Sequence, residues 1–208
     1  MARPVLYGAD YSVYVRIARM ALAEKGVEHD LVPVDIFAPG GPPAWYRERH
    51  PFLKIPAFEH GDLRLFETSV IARYIDEAFP GPSLQPVHAG RRAVMNQIIG
   101  MLDAYGYRAM VWDVAVGRLE GDPPDEARIA AGLRTAETTL KTLSRLEIAG
   151  DWLIGDKLTL ADLHAMPIIT YLIKAPEGRA LLAQHPALLA WWERMAARPS
   201  FTATGPTG

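Results

Sequence analysis

A chain of 208 residues that is 50% apolar, with a formal net charge of −2, is long enough for one large core or two small ones and too apolar to stay disordered. The near balance of charge gives no bulk attraction for nucleic acid or an anionic membrane, and no run of about 18 apolar residues spans a bilayer. No apolar segment precedes a small-residue cleavage site at the N-terminus, so a cytoplasmic protein is expected. The chain has no cysteine. Disulfides, Cys-ligated metals and a protein thiolate nucleophile are therefore excluded, and any thiol chemistry must use a thiol that arrives with a ligand.

Residues 4–7 read as a short buried strand. A helix follows over 13–25, with Tyr14, Ile17, Ala18, Ala21 and Leu22 on one face, Ser12 as N-cap and Gly26 as terminator. The β-branched run predicts a second strand over 27–36. The Pro/Gly-rich stretch 38–43 is a loop, and 44–50 has room for one helical turn. Two apolar runs around His60-Gly61-Asp62 predict a hairpin, and Val70, Ile71, Tyr74 and Ile75 mark a helix over 68–78. The order β-α-β, loop, β-β-α implies a mixed four-stranded sheet with helices against it, over residues 1–78.

Three prolines between 79 and 86 stop the helical pattern and begin a linker, placed at 79–89. The remainder, 90–208, reads as all-helical. One helix is expected over 91–118, bent near Gly100 or Gly106. Another is marked by Ile129, Leu133, Ala136, Leu140 and Leu143, and a last one runs over 186–198. Thr159-Leu160-Ala161-Asp162 forms a capping box with Asp in the usual Glu position, flanked by Leu158 and Leu163, so Asp162 is expected to be a buried cap. The six histidines show no ligand spacing such as i, i+4, and no metal site is expected. No phosphate loop, dinucleotide fingerprint or Gly-x-Ser-x-Gly is present.

Five stretches in this order resemble the cytosolic glutathione S-transferases, of a serine-type class that is theta-like or bacterial, over nearly the whole chain. Residues 6–16, Leu-Tyr-Gly-Ala-Asp-Tyr-Ser-Val-Tyr-Val-Arg, are similar to the family's first strand, active-site loop and helix start. Lys54-Ile55-Pro56-Ala57-Phe58 resembles the segment around its cis-proline, and Phe66-Glu67-Thr68-Ser69-Val70-Ile71 its Glu-Ser-x-x-Ile signature, with Thr68 in place of Ser. Residues 155–162 are similar to its helical-domain box, and Ala197-Arg198-Pro199-Ser200-Phe201 to its ending. The resemblance implies an α/β thioredoxin-like N-terminal domain that binds glutathione, an all-α C-terminal domain that helps to hold a second substrate, and a homodimer. The absence of cysteine excludes the cysteine-type classes.

The resemblance also implies roles for particular residues. Conjugation needs a thiolate, and Ser12, at a helix N-terminus, offers the glutathione sulfur both a hydroxyl donor and the positive end of a helix. The competing reading is a cap without catalytic role. Tyr11 is the second candidate for the sulfur, Tyr7 reads as core packing, and Arg16 as either a site residue or a solvated charge. Ile55, before the cis-proline, would pair its backbone with the cysteinyl amide. Lys54 would face the glycyl carboxylate, Glu67 the γ-glutamyl ammonium, and Thr68 the carboxylate beside it. Asp103 is a candidate for contact with a partner's glutathione. Tyr105, Met110 and Trp112, with Tyr107 and Val111, are candidates for an apolar electrophile pocket or, equally, for core. Phe52 is a candidate dimer anchor. The implied activity joins the glutathione thiolate to an electrophilic apolar molecule. Dehalogenation, ether cleavage, isomerisation or peroxide reduction with glutathione, and non-catalytic binding, are the alternatives.

Overall fold

The computed structural model describes residues 2–146 and 150–206. They form two compact units, Met1–Ser83 together with Arg198–Gly208, and Leu84–Ala197. The break falls inside the expected linker. Of the stretch expected in the helical domain, the described residues 198–206 group with the first unit.

In the first unit, β1 (Val5–Tyr7) leads into α1 (Val13–Glu24), and β2 (Asp30–Val32) follows. A short 3₁₀ turn covers Ala44–Glu48, and the hairpin β3 (Ala57–His60) and β4 (Leu63–Phe66) runs into α2 (Thr68–Ala78). The strands pair in the order β2-β1-β3-β4, with β1 parallel to β2 and antiparallel to β3. The second strand is shorter than the β-branched run suggested. Bonding to the first strand carries on as far as Val34, whose N–H reaches the Gly8 carbonyl at 3.2 Å, and past it the Asp35 carboxylate accepts from Phe37 N–H at 2.9 Å in a local turn.

Alternation along the strands sorts the sheet's two faces. Leu6 and Phe58 pair across β1 and β3 and are fully buried, and Phe58 meets Tyr74 of α2 with ring centroids 6.0 Å apart. Tyr7 and Phe66 both pair with Ala57 and lie on the opposite face. Trp45 and Tyr46 meet Tyr7 there at 6.0 and 6.4 Å, and His50 meets Phe66 at 5.0 Å. The ends of the two helices are joined by a buried ion pair. Lys25 Nζ donates to the Asp76 carboxylate at 3.1 Å and to the carbonyls of Asp76 and Pro82 at 2.9 and 3.1 Å.

The C-terminal residues are tied along α1. A short helix, α9 (Pro199–Thr202), follows Arg198, whose guanidinium donates twice to Glu24, at 2.8 and 2.7 Å, while Ser200 donates to the same carboxylate. Arg16 lies over the Phe201 ring at 3.7 Å and donates to the Phe201 carbonyl at 2.8 Å. Arg19 donates to the Thr204 carbonyl.

The second unit contains α3 (Ala89–Met101), α4 (Gly117–Leu119), α5 (Glu126–Arg145), α6 (Leu160–Leu172), α7 (Pro176–Ala183) and α8 (Pro186–Ala196). Between α3 and α4 the helix does not break. Its hydrogen bonds widen to the π pattern over Leu102–Gly106 and Arg108–Val116, so that Tyr107 N–H reaches the Leu102 carbonyl and Gly117 N–H the Trp112 carbonyl. Helix α5 packs closely on this stretch at Gly132, where a Cβ would lie 2.9 Å from Asp113 Cβ and 3.1 Å from the Ala109 carbonyl oxygen. Asp162, fully buried, is the expected cap and more. One oxygen accepts from Thr159 N–H and its hydroxyl, the other from Leu153 N–H and the Trp191 indole, all at 2.8 Å.

The Glu24 cluster gives a pH signature. Burial alone would raise the Glu24 carboxyl, but the Arg198 and Ser200 bonds outweigh it and hold the group below its ordinary value. A depressed carboxylate stabilises the fold above its unfolded pKa, near 4.3, and loses that contribution as pH falls through the folded value. Thermal unfolding should show Glu24→Gln less stable than wild type at pH 7, with the gap narrowing as pH falls below the unfolded value and through the lowered folded one. A gap that stays constant over this range would contradict the role of the charge.

Candidate functional site

The register of the sheet assembles one end of the first unit. Tyr7 is opposite Ala57, and Ala57 is opposite Phe66. The chain leaving β1 toward α1, the chain entering β3 and the chain leaving β4 toward α2 therefore share one edge. Ser12, the Lys54-Ile55-Pro56 turn and the Glu67-Thr68 corner occupy these three segments. The Ile55–Pro56 bond is cis.

Gly8 allows this close assembly. It continues the sheet, donating to the Val32 carbonyl at 3.0 Å and accepting from Val34 N–H at 3.2 Å. A Cβ at position 8 would lie 2.3 Å from Val15 Cγ2 and 3.4 Å from Ile55 Cβ. The strand end, α1 and the cis-proline turn thus meet where only hydrogen fits. Sequence reasoning gave Gly8 no role, since a glycine between strand and loop looks the same whether it turns the chain or makes room.

Ser12 is the N-cap of α1, and its Oγ accepts from Val15 N–H at 3.4 Å. A hydroxyl has two acceptor lone pairs and one proton, so the cap leaves the proton to be donated elsewhere. The cap and sulfur readings are therefore compatible. Tyr11 donates its hydroxyl to the exposed Asp35 carboxylate at 2.8 Å. Tyr7 is buried and donates to Glu59, and burial together with that carboxylate pushes its phenol up. Neither tyrosine hydroxyl is as available as that of Ser12. Arg16, in the second turn of α1, holds Phe201 rather than standing in solvent.

At the other two segments, Lys54 is exposed and Ile55 buried. Glu67 takes a positive φ of 72°, sparsely populated for a residue with a side chain, and makes no side-chain cap bond although it occupies the N-cap of α2. Its carbonyl accepts from Val70 and Ile71 N–H, both at 3.0 Å, so the helix starts without using the carboxylate, which stays exposed. Thr68 is buried in the first turn. An acid turned outward above a helix N-terminus presents opposite charges side by side, as an amino-acid head group requires.

The candidates for an electrophile pocket lie in the second unit and differ in exposure. Tyr105 is 63% exposed and Trp112 half-buried, but Met110 has no exposed surface and Val111 almost none, so those two are packing rather than open pocket wall. Asp103 is bonded to the buried His164 imidazole at 2.7 Å. Among the described residues no group of three or more His, Asp or Glu side chains is placed to hold a metal ion, and no helix is long and apolar enough to cross a membrane.

The family models for the N-terminal and C-terminal domains of glutathione S-transferase match residues 6–83 and 123–199. Glutathione S-transferase F13 of Arabidopsis thaliana is 30% identical over 207 residues, 97% of this chain and 94% of that protein. The chain belongs to the glutathione S-transferase family. A solved glutathione S-transferase III in apo form superposes with a TM-score of 0.85 at 31% identity, over 98% of this chain and 95% of the other. A glutathione S-transferase from Methylobacterium radiotolerans, in complex with glutathione sulfonate, superposes with a TM-score of 0.81 at 27% identity, over 100% and 96%. The four-stranded mixed sheet and the helical C-terminal unit are the transferase fold, as the sequence resemblance implied.

The packing at Gly8 supplies a test of how the edge is built. Gly8→Ala should lower stability by about 1–3 kcal/mol, as overpacking does, and weaken glutathione binding, because Ser12 and Ile55 flank the displaced atoms. Val15→Ala should relieve the clash, so the double variant should be less destabilised than the sum of the two single variants. Strict additivity in thermal unfolding would show that the Gly8–Val15 contact is not the constraint.

Proposed function

We propose that the end of the sheet formed by Ser12, Ile55 and Glu67 is the glutathione site of this transferase, and that Ser12 activates the sulfur. The observation that carries the reading is the shared register row Tyr7–Ala57–Phe66, which puts a hydroxyl at a helix N-terminus, the backbone turn at 54–56 and an acid at a second helix N-terminus on one edge. Three kinds of group on a tripeptide match them. The cysteinyl peptide pairs with Ile55, the γ-glutamyl ammonium and carboxylate meet Glu67 and Thr68, and Lys54 faces the glycyl carboxylate.

The chemistry then needs little from the protein. Glutathione's thiol gives its proton to solvent, the thiolate forms a carbon–sulfur bond to the electrophile, and any leaving group departs with the electron pair of its bond. A free thiol ionises near 8.5, and lowering this by about two units takes roughly 2.7 kcal/mol of preferential stabilisation of the thiolate. The Ser12 proton and the positive end of α1 supply stabilisation of that size together, since one hydrogen bond to a charged group contributes about 1.5–3 kcal/mol. The second substrate is an apolar electrophile, with Tyr105 and Trp112 as candidates for its contacts. The protein acts in the cytoplasm.

Two arms of one experiment test the site. Ser12→Ala should raise the titration midpoint of bound glutathione, read by thiolate absorbance, and cut turnover at neutral pH about ten- to a hundredfold with affinity changed only a few-fold. Glu67→Ala should do the reverse, weakening glutathione binding strongly by calorimetry with little effect on the bound thiol. An unchanged midpoint in Ser12→Ala with only a lower melting temperature would reduce Ser12 to a cap worth about 1 kcal/mol.

The transferase is also proposed to work as a homodimer, with Phe52 as an anchor. Its ring is 70% exposed in the loop before the cis-proline turn, and Trp45 on the preceding turn is 44% exposed. Light scattering at micromolar concentration should give about twice the 23.0 kDa chain mass, and Phe52→Ser should shift the population toward the monomer. A monomer mass for the wild type would contradict the assignment.

A further inference from the structure

The turn that carries Lys54 and Ile55 is held at both of its sides by residues of the preceding segment. It precedes the first paired residue of β3, and Leu53 sits in the left-handed region with φ 54°. Leu53 N–H reaches the His50 carbonyl at 2.9 Å, which closes the turn on one side. On the other side, Tyr46, with no exposed surface, donates its hydroxyl to the Lys54 carbonyl at 2.8 Å.

The same ring has a second connection. Tyr46 stacks on His50 with centroids 6.4 Å apart and planes at 30°, and His50 packs on Phe66 at 5.0 Å, with Phe52 against both. Phe66 is the residue before Glu67. One buried stack therefore joins the turn at 54–55 to the corner at 67–68. His50, itself buried, has an Nδ1 without a hydrogen-bond partner, so the ring contributes packing rather than a polar anchor.

We propose that Tyr46 is a positioning residue for glutathione. Its hydroxyl fixes the Lys54 carbonyl and so the backbone that Ile55 offers to the cysteinyl peptide, while its ring ties that turn to the Glu67 side of the site. The inference rests on the assignment of these two segments to glutathione made above. Without the hydroxyl, the turn spends part of its time in arrangements that cannot pair with the ligand, and the apparent dissociation constant rises in inverse proportion to the competent fraction.

Tyr46→Phe keeps the ring and its volume and removes only the hydroxyl, with its bond to the Lys54 carbonyl and its contact with the Ala57 backbone. Calorimetry with glutathione and with S-methylglutathione, which has no thiol, should show both binding about three- to tenfold more weakly, by the same factor, as expected for one hydrogen bond. Turnover at saturating glutathione and the titration midpoint of the bound thiol should stay at wild-type values, so the effect appears in KM and not in kcat. A lower melting temperature with unchanged affinity for both ligands would overturn the proposal, as would a loss of kcat without a loss of affinity. Glu67→Ala separates the two levels. If it weakens binding while Tyr46→Phe does not, Tyr46 alone loses its role; if neither variant weakens binding, the site assignment falls and the inference with it.

Discussion

Three strands that come to an end on one row constrain the rest of the first unit. Because Tyr7, Ala57 and Phe66 are in register, three loops leave the sheet side by side, and their spacing is set by the strand separation of about 4.8 Å rather than by the loops themselves. The hydrophobic face made by Leu6 and Phe58 locks that register. A slip of one residue would turn both side chains to the other face. Precision in the site is thus supplied by burial elsewhere, and the chemistry-bearing residues can remain partly exposed.

Within that frame the two helix N-termini are used differently. At α1 the cap is conventional, and the hydroxyl that accepts from Val15 N–H keeps a proton to give. At α2 the N-cap position is held by Glu67 in an unfavourable backbone conformation, and its carboxylate makes no cap bond to the helix. A residue held at positive φ whose side chain makes no cap bond is the kind of position at which function rather than stability sets the conformation. The aromatic stack from Tyr46 through His50 to Phe66 ties the turn at 54–55 to the corner at 67–68.

Much of this was legible in the sequence because it is local. Ser12 and Gly26 bracketed α1, Thr68 began α2, and the capping box at Thr159 and Asp162 was visible from spacing alone. Where the sequence fell short, the deciding contact was distant. Arg16 looks like either a surface charge or a ligand contact until Phe201, 185 residues away, is placed beneath it, and the family-like ending at Arg198–Phe201 gave no hint that it is tied to Glu24. The strand over 27–36 was overextended because β-branched composition does not register the local turn in which the Asp35 carboxylate accepts from Phe37 N–H. An apolar stripe likewise cannot tell the ordinary helical turn from the wider one over Arg108–Val116, and it left Met110 open between pocket and core, of which its full burial favours core. Gly8 and Tyr46 were passed over for the same reason, since their partners Val15, Ile55 and Lys54 matter only once the chain has folded.

The most direct measurement is a crystal structure of the chain with glutathione bound. The account predicts the sulfur within hydrogen-bond distance of Ser12 Oγ at the N-terminus of α1, the cysteinyl peptide paired with the Ile55 backbone, and the γ-glutamyl head group between Glu67 and the first turn of α2. Glutathione lying elsewhere on the chain, or lying on this edge with its sulfur on Tyr11 or Tyr7 and away from Ser12, would contradict it.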